Sequence, residues 1–323
     1  MSELIVVFGG SGFVGKQVVR ALCKAGKRVR VAMRRPQLGH ELRVMGNVGQ
    51  VQLVQANVRD YESVTRALGG ASAAINLVGL LYEKGKQKFD DVMIEGAQNI
   101  AKACKAHKIT NLVQISAIVA PDSNSKYAAA KINAEKAITD ILPNAVILRP
   151  SVIFGPEDEF FNRFASLSKL TPIMPLIGGG QTKFQPVFVG DVARAIMATL
   201  GGMSHGKTYE LGGPQVYTFE QILRFIAKET NRPRAFLKLP FWLVKMKGSL
   251  IDFIFRFIPF MAPPLTGDQV ELLKDDSVVS EGALGFKDLG IENLSSIEAI
   301  TPSYLYRFRP HGQFGAAAAP KAV

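Results

Sequence analysis

With 323 residues, 47% hydrophobic and 20% charged, the chain has ample length for a buried core and the wrong composition for a disordered polymer. Lys and Arg outnumber Asp and Glu by 39 to 27, a formal net charge of +12 that calls for an anionic partner: a nucleotide, nucleic acid, an acidic protein or a lipid surface. Two cysteines (Cys23, Cys104) and four scattered histidines without ligand spacing argue against disulfides and metal sites, and the pattern contains no nucleic-acid module.

The chain opens on Leu4-Ile5-Val6-Val7-Phe8, an apolar run of strand character. It breaks into Gly9-Gly10-Ser11-Gly12-Phe13-Val14-Gly15, and a helical pattern resumes at Val14, Val18, Val19 and Leu22. Gly9 allows the sharp turn, Gly12 removes the side chain that would block a pyrophosphate, and Gly15 lets the helix pack closely on the strand. The free N–H groups of the helix start then face the anion, so Gly9, Ser11, Gly12, Phe13, Val14 and Gly15 form the expected phosphate cradle. The fingerprint begins so near Met1 that no room remains for a signal or transit peptide, which points to a protein kept in the cytoplasm or already processed.

A second strand, Arg28–Met33, ends in Arg34-Arg35, where NAD-preferring proteins place an acidic residue for the ribose hydroxyls. Two arginines there would receive a 2′-phosphate, so NADPH (NADP) is expected over NADH; the plain alternative is a basic loop in a basic protein. Strands follow at Val51–Gln55, at residues 73 to 77 and at Asn111–Ile115, with a long helix over residues 89 to 107 and Ser116 closing the fifth strand. Strands alternating with helices predict an α/β fold, a Rossmann-like doubly wound parallel sheet. Tyr127 and Lys131, four apart in a helical stretch, share one face.

A sixth strand spans residues 146 to 149 and continues into Pro150-Ser151-Val152-Ile153-Phe154-Gly155. Gly178-Gly179-Gly180 lacks the register of a phosphate loop and reads as a turn, Asp191 as the cap of the next helix, and Thr218 as the cap of a helix to about Glu229. The expected division is a nucleotide-binding domain over 1–155 with returning segments 185–200, a smaller C-terminal α/β domain over 156–310, and a disordered tail over 311–323. Residues 232 to 261 mix Arg232, Arg234, Lys238, Lys245, Lys247 and Arg256 with many aromatics. Charge, Pro240 and Pro259 interrupt this segment too often for it to span a bilayer, which takes about 20 apolar residues. It suits a helix lying on an anionic membrane surface, or else a lid or core helix with snorkelling lysines. Another helix is expected over 265–273.

The G-x-x-G-x-x-G spacing, Tyr127-x-x-x-Lys131, the stretch from Pro150 and the run Gln185-Pro186-Val187-Phe188-Val189-Gly190-Asp191 together resemble the extended or atypical short-chain dehydrogenase/reductase family over residues 4 to about 215. The resemblance implies that Asn57 and Val58 line the adenine, with Asn57 standing where the family usually has aspartate. It places Leu77, Val78 and Gly79 on the adenine ribose, and Ser116, Pro150 and Ile153 near the nicotinamide. Tyr127 and Lys131 would be the catalytic pair, the lysine holding the nicotinamide ribose and lowering the tyrosine pKa.

Three departures imply cofactor retention without turnover: Ile118 at the usual hydroxyl position, Val92-Met93-Ile94-Glu95-Gly96-Ala97 where V-N-x-x-G-T is common, and a short interval from Ser116 to Tyr127. With the basic aromatic segment and residues 265–279, they narrow the resemblance to the NAD(P)H-binding accessory subunits of respiratory complex I (NADH:ubiquinone oxidoreductase), bacterial form. That resemblance implies NADPH as a structural ligand and core subunits of complex I as partners. It also implies peripheral docking near the quinone region, on the cytoplasmic face of the inner (plasma) membrane. The competing expectation is a stand-alone NADP-dependent reductase or epimerase acting on a lipid-like or sugar-nucleotide substrate.

Overall fold

A computed structural model describes residues 3–202, 204–241 and 266–314. Its centre is a seven-stranded sheet of β1 (Leu4–Phe8), β2 (Arg28–Met33), β3 (Val51–Gln55), β4 (Ala73–Asn76), β5 (Asn111–Ile115), β6 (Val146–Pro150) and β11 (Thr208–Leu211). The spatial order is β11-β6-β5-β4-β1-β2-β3 and every pairing is parallel. β1 and β4 are buried along their whole length, as expected of apolar runs covered on both faces.

One face is covered by α1 (Phe13–Lys24) and α7 (Val189–Thr199), through Val18, Val19, Leu22, Val192 and Ile196. The other is covered by α3 (Tyr61–Leu68), α4 (Glu95–Ala106) and α5 (Lys126–Ile141), through Val64, Leu68, Ala97, Ile100, Ala134 and Ile138. A four-residue α2 (His40–Arg43) precedes β3. The strand order reverses at β1, which leaves a crevice beyond the carboxyl ends of β1 and β4, where doubly wound sheets bind ligands.

Strand bounds follow the sequence expectation to within a residue, and β11, beyond the returning segment 185–200, also returns to this sheet. The long helix expected over 89 to 107 opens instead with a π-helical turn, Asp90–Ile94, before α4 begins. Asp191 does not cap α7. It lies inside the first turn, where its buried carboxylate accepts the Ser295 N–H at 2.8 Å and pairs with Arg194 at 2.9 Å, so it anchors the C-terminal chain rather than the helix end.

The smaller region contains β7 (Ile153–Phe154), α6 (Phe161–Leu170), β8 (Ile173–Ile177), β9 (Lys183–Phe184), β10 (Val187–Phe188), β12 (Tyr217–Thr218), α8 (Phe219–Glu229), β13 (Ala235–Leu239) and α9 (Gly267–Leu272). Its core is aromatic: Phe160 packs against Phe161, Phe164, Phe184 and Phe219 at centroid distances from 5.1 to 6.3 Å. Gly178-Gly179-Gly180 forms the expected turn, all three at positive φ. Thr218 caps α8 through a reciprocal box with Gln221. Of the basic aromatic segment, residues 232–241 are described, and β13 pairs with β8; 242–261 lie outside the described residues. In the expected tail, Gly312–Phe314 forms a single 3-10 turn, and 315–323 lie outside them.

Candidate functional site

The crevice is built from the turn after β1. Gly9 has φ +78°, and the Gly12 N–H donates to its carbonyl at 3.1 Å, closing the turn. A Cβ on Gly15 would lie 2.4 Å from the Gly9 oxygen and 2.5 Å from the Gly10 Cα, so the start of α1 is pressed directly onto turn backbone. Gly12 is different: a Cβ there would meet only the Gly9 oxygen, at 3.4 Å. No side chain caps α1 and its first turn holds no acid, so Phe13, Val14 and Gly15 present helix-start N–H groups with no carboxylate competing for them. Phe13 also reaches the far side of the crevice, its ring 3.1 Å from where a Gly155 Cβ would sit.

At the adenosine end, Arg34 and Arg35 are exposed after β2. The Arg34 guanidinium donates to the Gln87 side-chain oxygen at 2.8 Å, and Arg59 donates to the Lys86 carbonyl at 2.9 Å. A tight turn over residues 84–87 therefore hangs between two arginines. The Asn57 oxygen, expected to face an adenine amine, accepts from the Arg59 N–H and Nε at 3.3 and 3.4 Å, bonds that hold its own loop. Val58 packs on Gly96, and its carbonyl accepts from Asn99 at 2.9 Å.

Leu77, Val78 and Gly79 are set by a buried amide pair that motif matching did not single out. Asn76 accepts the Val78 N–H at 3.1 Å and donates to Gln114 at 2.7 Å. Two amides closing neighbouring apolar strands are the signal that could have exposed it. The result brings Leu77 backbone within 3.1 Å of where a Gly9 Cβ would sit.

The nicotinamide end is formed by α5, Ser116 and the chain after β6. Lys131 is 5% exposed, and its Nζ donates to the Ile115 carbonyl at 3.3 Å and lies 5.7 Å from the Tyr127 ring centroid. Burial lowers its pKa to about 8, with Glu135 pulling the other way. Burial also pushes the Tyr127 phenol up to about 12.

Tyr127 packs in an apolar cluster with Phe89, Met93, Ala130, Leu80 and Ile94, and the Phe89 ring meets it edge-on at 6.1 Å. Ser116 is 3% exposed, and its hydroxyl finds no partner in the protein. A buried hydroxyl left so costs about 1–3 kcal/mol, which fits a site where an outside oxygen completes the bonding. Pro150 ends β6, Ile153 begins β7, and between them the Ser151 hydroxyl donates to the Ser277 carbonyl at 2.6 Å. The bare phosphate cradle, the two arginines and the Ser116–Lys131 pair together fit a pyridine dinucleotide. Among the described residues no group of side chains could hold a metal ion.

A second feature lies at the far end of the smaller region. Arg224, Lys228, Arg232 and Arg234 line an open cleft between α8 and the start of β13, with Arg224 stacked 4.6 Å from the Phe236 ring centroid. Leu170, Ile173 and Leu237 are exposed on and beside the β8–β13 pair. No helix among the described residues is long and apolar enough to cross a membrane.

Residues 5–212 match the model of the NAD dependent epimerase/dehydratase family. The chain is 36% identical to NADH dehydrogenase (ubiquinone) 1 alpha subcomplex subunit 9, mitochondrial, of Arabidopsis thaliana, over 98% of this chain and 80% of that protein. It is 33% identical to the same subunit of Mus musculus, over 94% and 81%. Among solved structures, the dTDP-glucose 4,6-dehydratase of Bacillus anthracis in complex with NAD superposes with a TM-score of 0.70 at 15% identity, covering 94% of this chain and 96% of that one, a likeness of fold.

Proposed function

The chain belongs to the NAD dependent epimerase/dehydratase family, and we propose that within it the protein is an accessory subunit of respiratory complex I that holds NADPH as a structural ligand and carries out no turnover of its own. The observation that carries this reading is the division of the site. The crevice offers a bare helix-start N–H cradle, two exposed arginines and the unpartnered Ser116 hydroxyl, while the half-buried Tyr127 ring meets Phe89 edge-on in an apolar cluster and burial raises its phenol pKa.

In this reading the N–H groups of the α1 start hold the diphosphate, and Arg34 with Arg35 holds the 2′-phosphate. Ser116 and Lys131 would hold the nicotinamide ribose, the hydroxyl and the ammonium each meeting a ribose oxygen. A bound dihydronicotinamide would carry a hydride that in this reading is not transferred. What this chain adds is binding, with the half-buried Tyr127 ring resting against the apolar cluster of Phe89 and Met93. Relatives that are subunits of NADH dehydrogenase (ubiquinone) support core subunits of complex I as partners. The basic cleft at Arg224, Lys228, Arg232 and Arg234, together with the basic and aromatic sequence of residues 232–261, supports peripheral docking on an anionic membrane surface beside the quinone region, on the cytoplasmic face of the inner membrane.

The test is gentle detergent extraction of membranes carrying a tagged copy. Co-purification of NADH:quinone oxidoreductase activity and its subunits at fixed ratio, with NADPH bound and unchanged by Tyr127→Phe, is the expected result. A free soluble protein whose reductase or epimerase turnover collapses with Tyr127→Phe would overturn the reading in favour of a stand-alone enzyme.

A further inference from the structure

The helix that carries Tyr127 and Lys131 is capped from a distance. Ser125 is the N-cap of α5, and its hydroxyl accepts the Ala128 N–H at 3.3 Å. That hydroxyl donates to Asp268 at 2.9 Å, and the same carboxylate accepts the Lys126 N–H at 2.6 Å and the Tyr127 N–H at 3.1 Å. Three of the first-turn donors of α5 are thus satisfied, two by an anion 141 and 142 residues away, at the end of the helix where negative charge is most favourable. Asp268 is itself oriented, because it lies in the first turn of α9, which starts with a reciprocal Thr266–Gln269 box.

The chain after Asp268 continues around the same end of the site. Asp276 accepts the Lys183 N–H at 2.7 Å, and the Ser277 N–H donates to the Lys183 carbonyl at 2.8 Å. The Ser277 carbonyl takes the Ser151 hydroxyl at 2.6 Å, and its own hydroxyl donates to the Ile118 carbonyl at 3.4 Å. Residues 266–277 therefore fasten the start of α5, the chain after β5 and the chain after β6. They come soon after the basic aromatic segment in sequence.

We propose that Asp268 is a positioning residue for the nucleotide site, and that through it the C-terminal chain following the membrane-facing segment sets how long NADPH is held. The inference rests on the cofactor reading above. Removing the carboxylate leaves the Lys126 and Tyr127 N–H groups without their acceptor, so the first turn of α5, which carries Tyr127 and leads to Lys131, is held less firmly. Coupling is reciprocal, so a filled nucleotide site also holds residues 266–277 more firmly in place.

The experiment uses the full-length chain loaded with NADPH and follows release by loss of the bound-nucleotide fluorescence after an excess of NADP is added. Asp268→Ala should release NADPH about five- to tenfold faster, the size of a lost helix cap, with Asp268→Asn in between. Ser296→Ala, which removes a similar side-chain cap at the helix Ile297–Ile300, should lower thermal stability and leave release unchanged. Should Asp268→Ala fail to fold, Asp268→Asn decides. Unchanged release in folded Asp268 variants that are merely less stable would overturn the positioning role and leave the cofactor reading standing. A wild-type chain that holds no NADPH would overturn both.

Discussion

Gly15 and Gly12 sit three residues apart in the same turn, and the structure predicts opposite outcomes for the same substitution. In Gly15→Ala the new methyl would lie 2.4 Å from the Gly9 oxygen, 2.5 Å from the Gly10 Cα and 2.6 Å from the Gly10 carbonyl carbon. All three atoms are backbone, so no rotamer relieves the clash, and roughly 1 Å must open between α1 and the turn to reach ordinary contact. Overpacking costs about 1–3 kcal/mol, and the immovable partners place this case at the upper end. Alanine's helix propensity returns at most about 1 kcal/mol.

A net loss of about 2 kcal/mol follows, which lowers the midpoint of thermal unfolding by about 3 °C. In Gly12→Ala the methyl meets one atom at 3.4 Å with φ at −78°, so stability should change by less than about 1 kcal/mol. In the cofactor reading that methyl enters the space of the diphosphate, and NADPH affinity should fall tenfold or more, a loss of about 1.4 kcal/mol or greater. Circular dichroism melts of the nucleotide-free protein and fluorescence titration with NADPH measure the two effects. If Gly15→Ala melts with the wild type, or if Gly12→Ala is the less stable of the two, the close-packing argument is wrong.

Lys131 ties stability to pH. Its folded pKa of about 8 lies below the ordinary 10.5, so the unfolded chain binds more protons between those values. The nucleotide-free protein should therefore gain stability as pH rises from about 8 towards 10.5, by up to about 3 kcal/mol, with the full penalty present below 8. Denaturant titrations across that window should show the rise in wild type and a flatter profile in Lys131→Met; parallel profiles would mean the lysine is not buried uncharged. Arg34→Glu should weaken NADPH at least about tenfold, by loss of one charge-assisted phosphate contact and added repulsion, while NADH binding holds within about threefold. Equal losses for the two nucleotides would remove Arg34 from 2′-phosphate recognition.

What the sequence determined by itself is the set of features whose causes act within a few residues. The apolar run into Gly9-Gly10-Ser11-Gly12 forces strand, turn and helix wherever the chain goes, the Thr218–Gln221 pair starts α8 on its own, and four-residue spacing puts Tyr127 and Lys131 on one face. The alternation of such elements is enough to predict a doubly wound sheet, because a parallel pairing needs a crossover helix. The tertiary structure decided everything that depends on what lies beside a residue across the fold. Asp191 reads locally as a cap, yet its carboxylate meets the Ser295 N–H, 104 residues on, and Asp268, unremarkable in its own stretch, caps the helix of the candidate site. Tyr127-x-x-x-Lys131 is the family's motif in letters, but the protonation of both side chains is set by desolvation among Phe89, Met93 and the ends of β4 and β5, a property of the surrounding atoms and not of spacing. Local conformational preferences are written in neighbouring residues, whereas burial and long-range hydrogen bonds come into being only when the chain closes on itself.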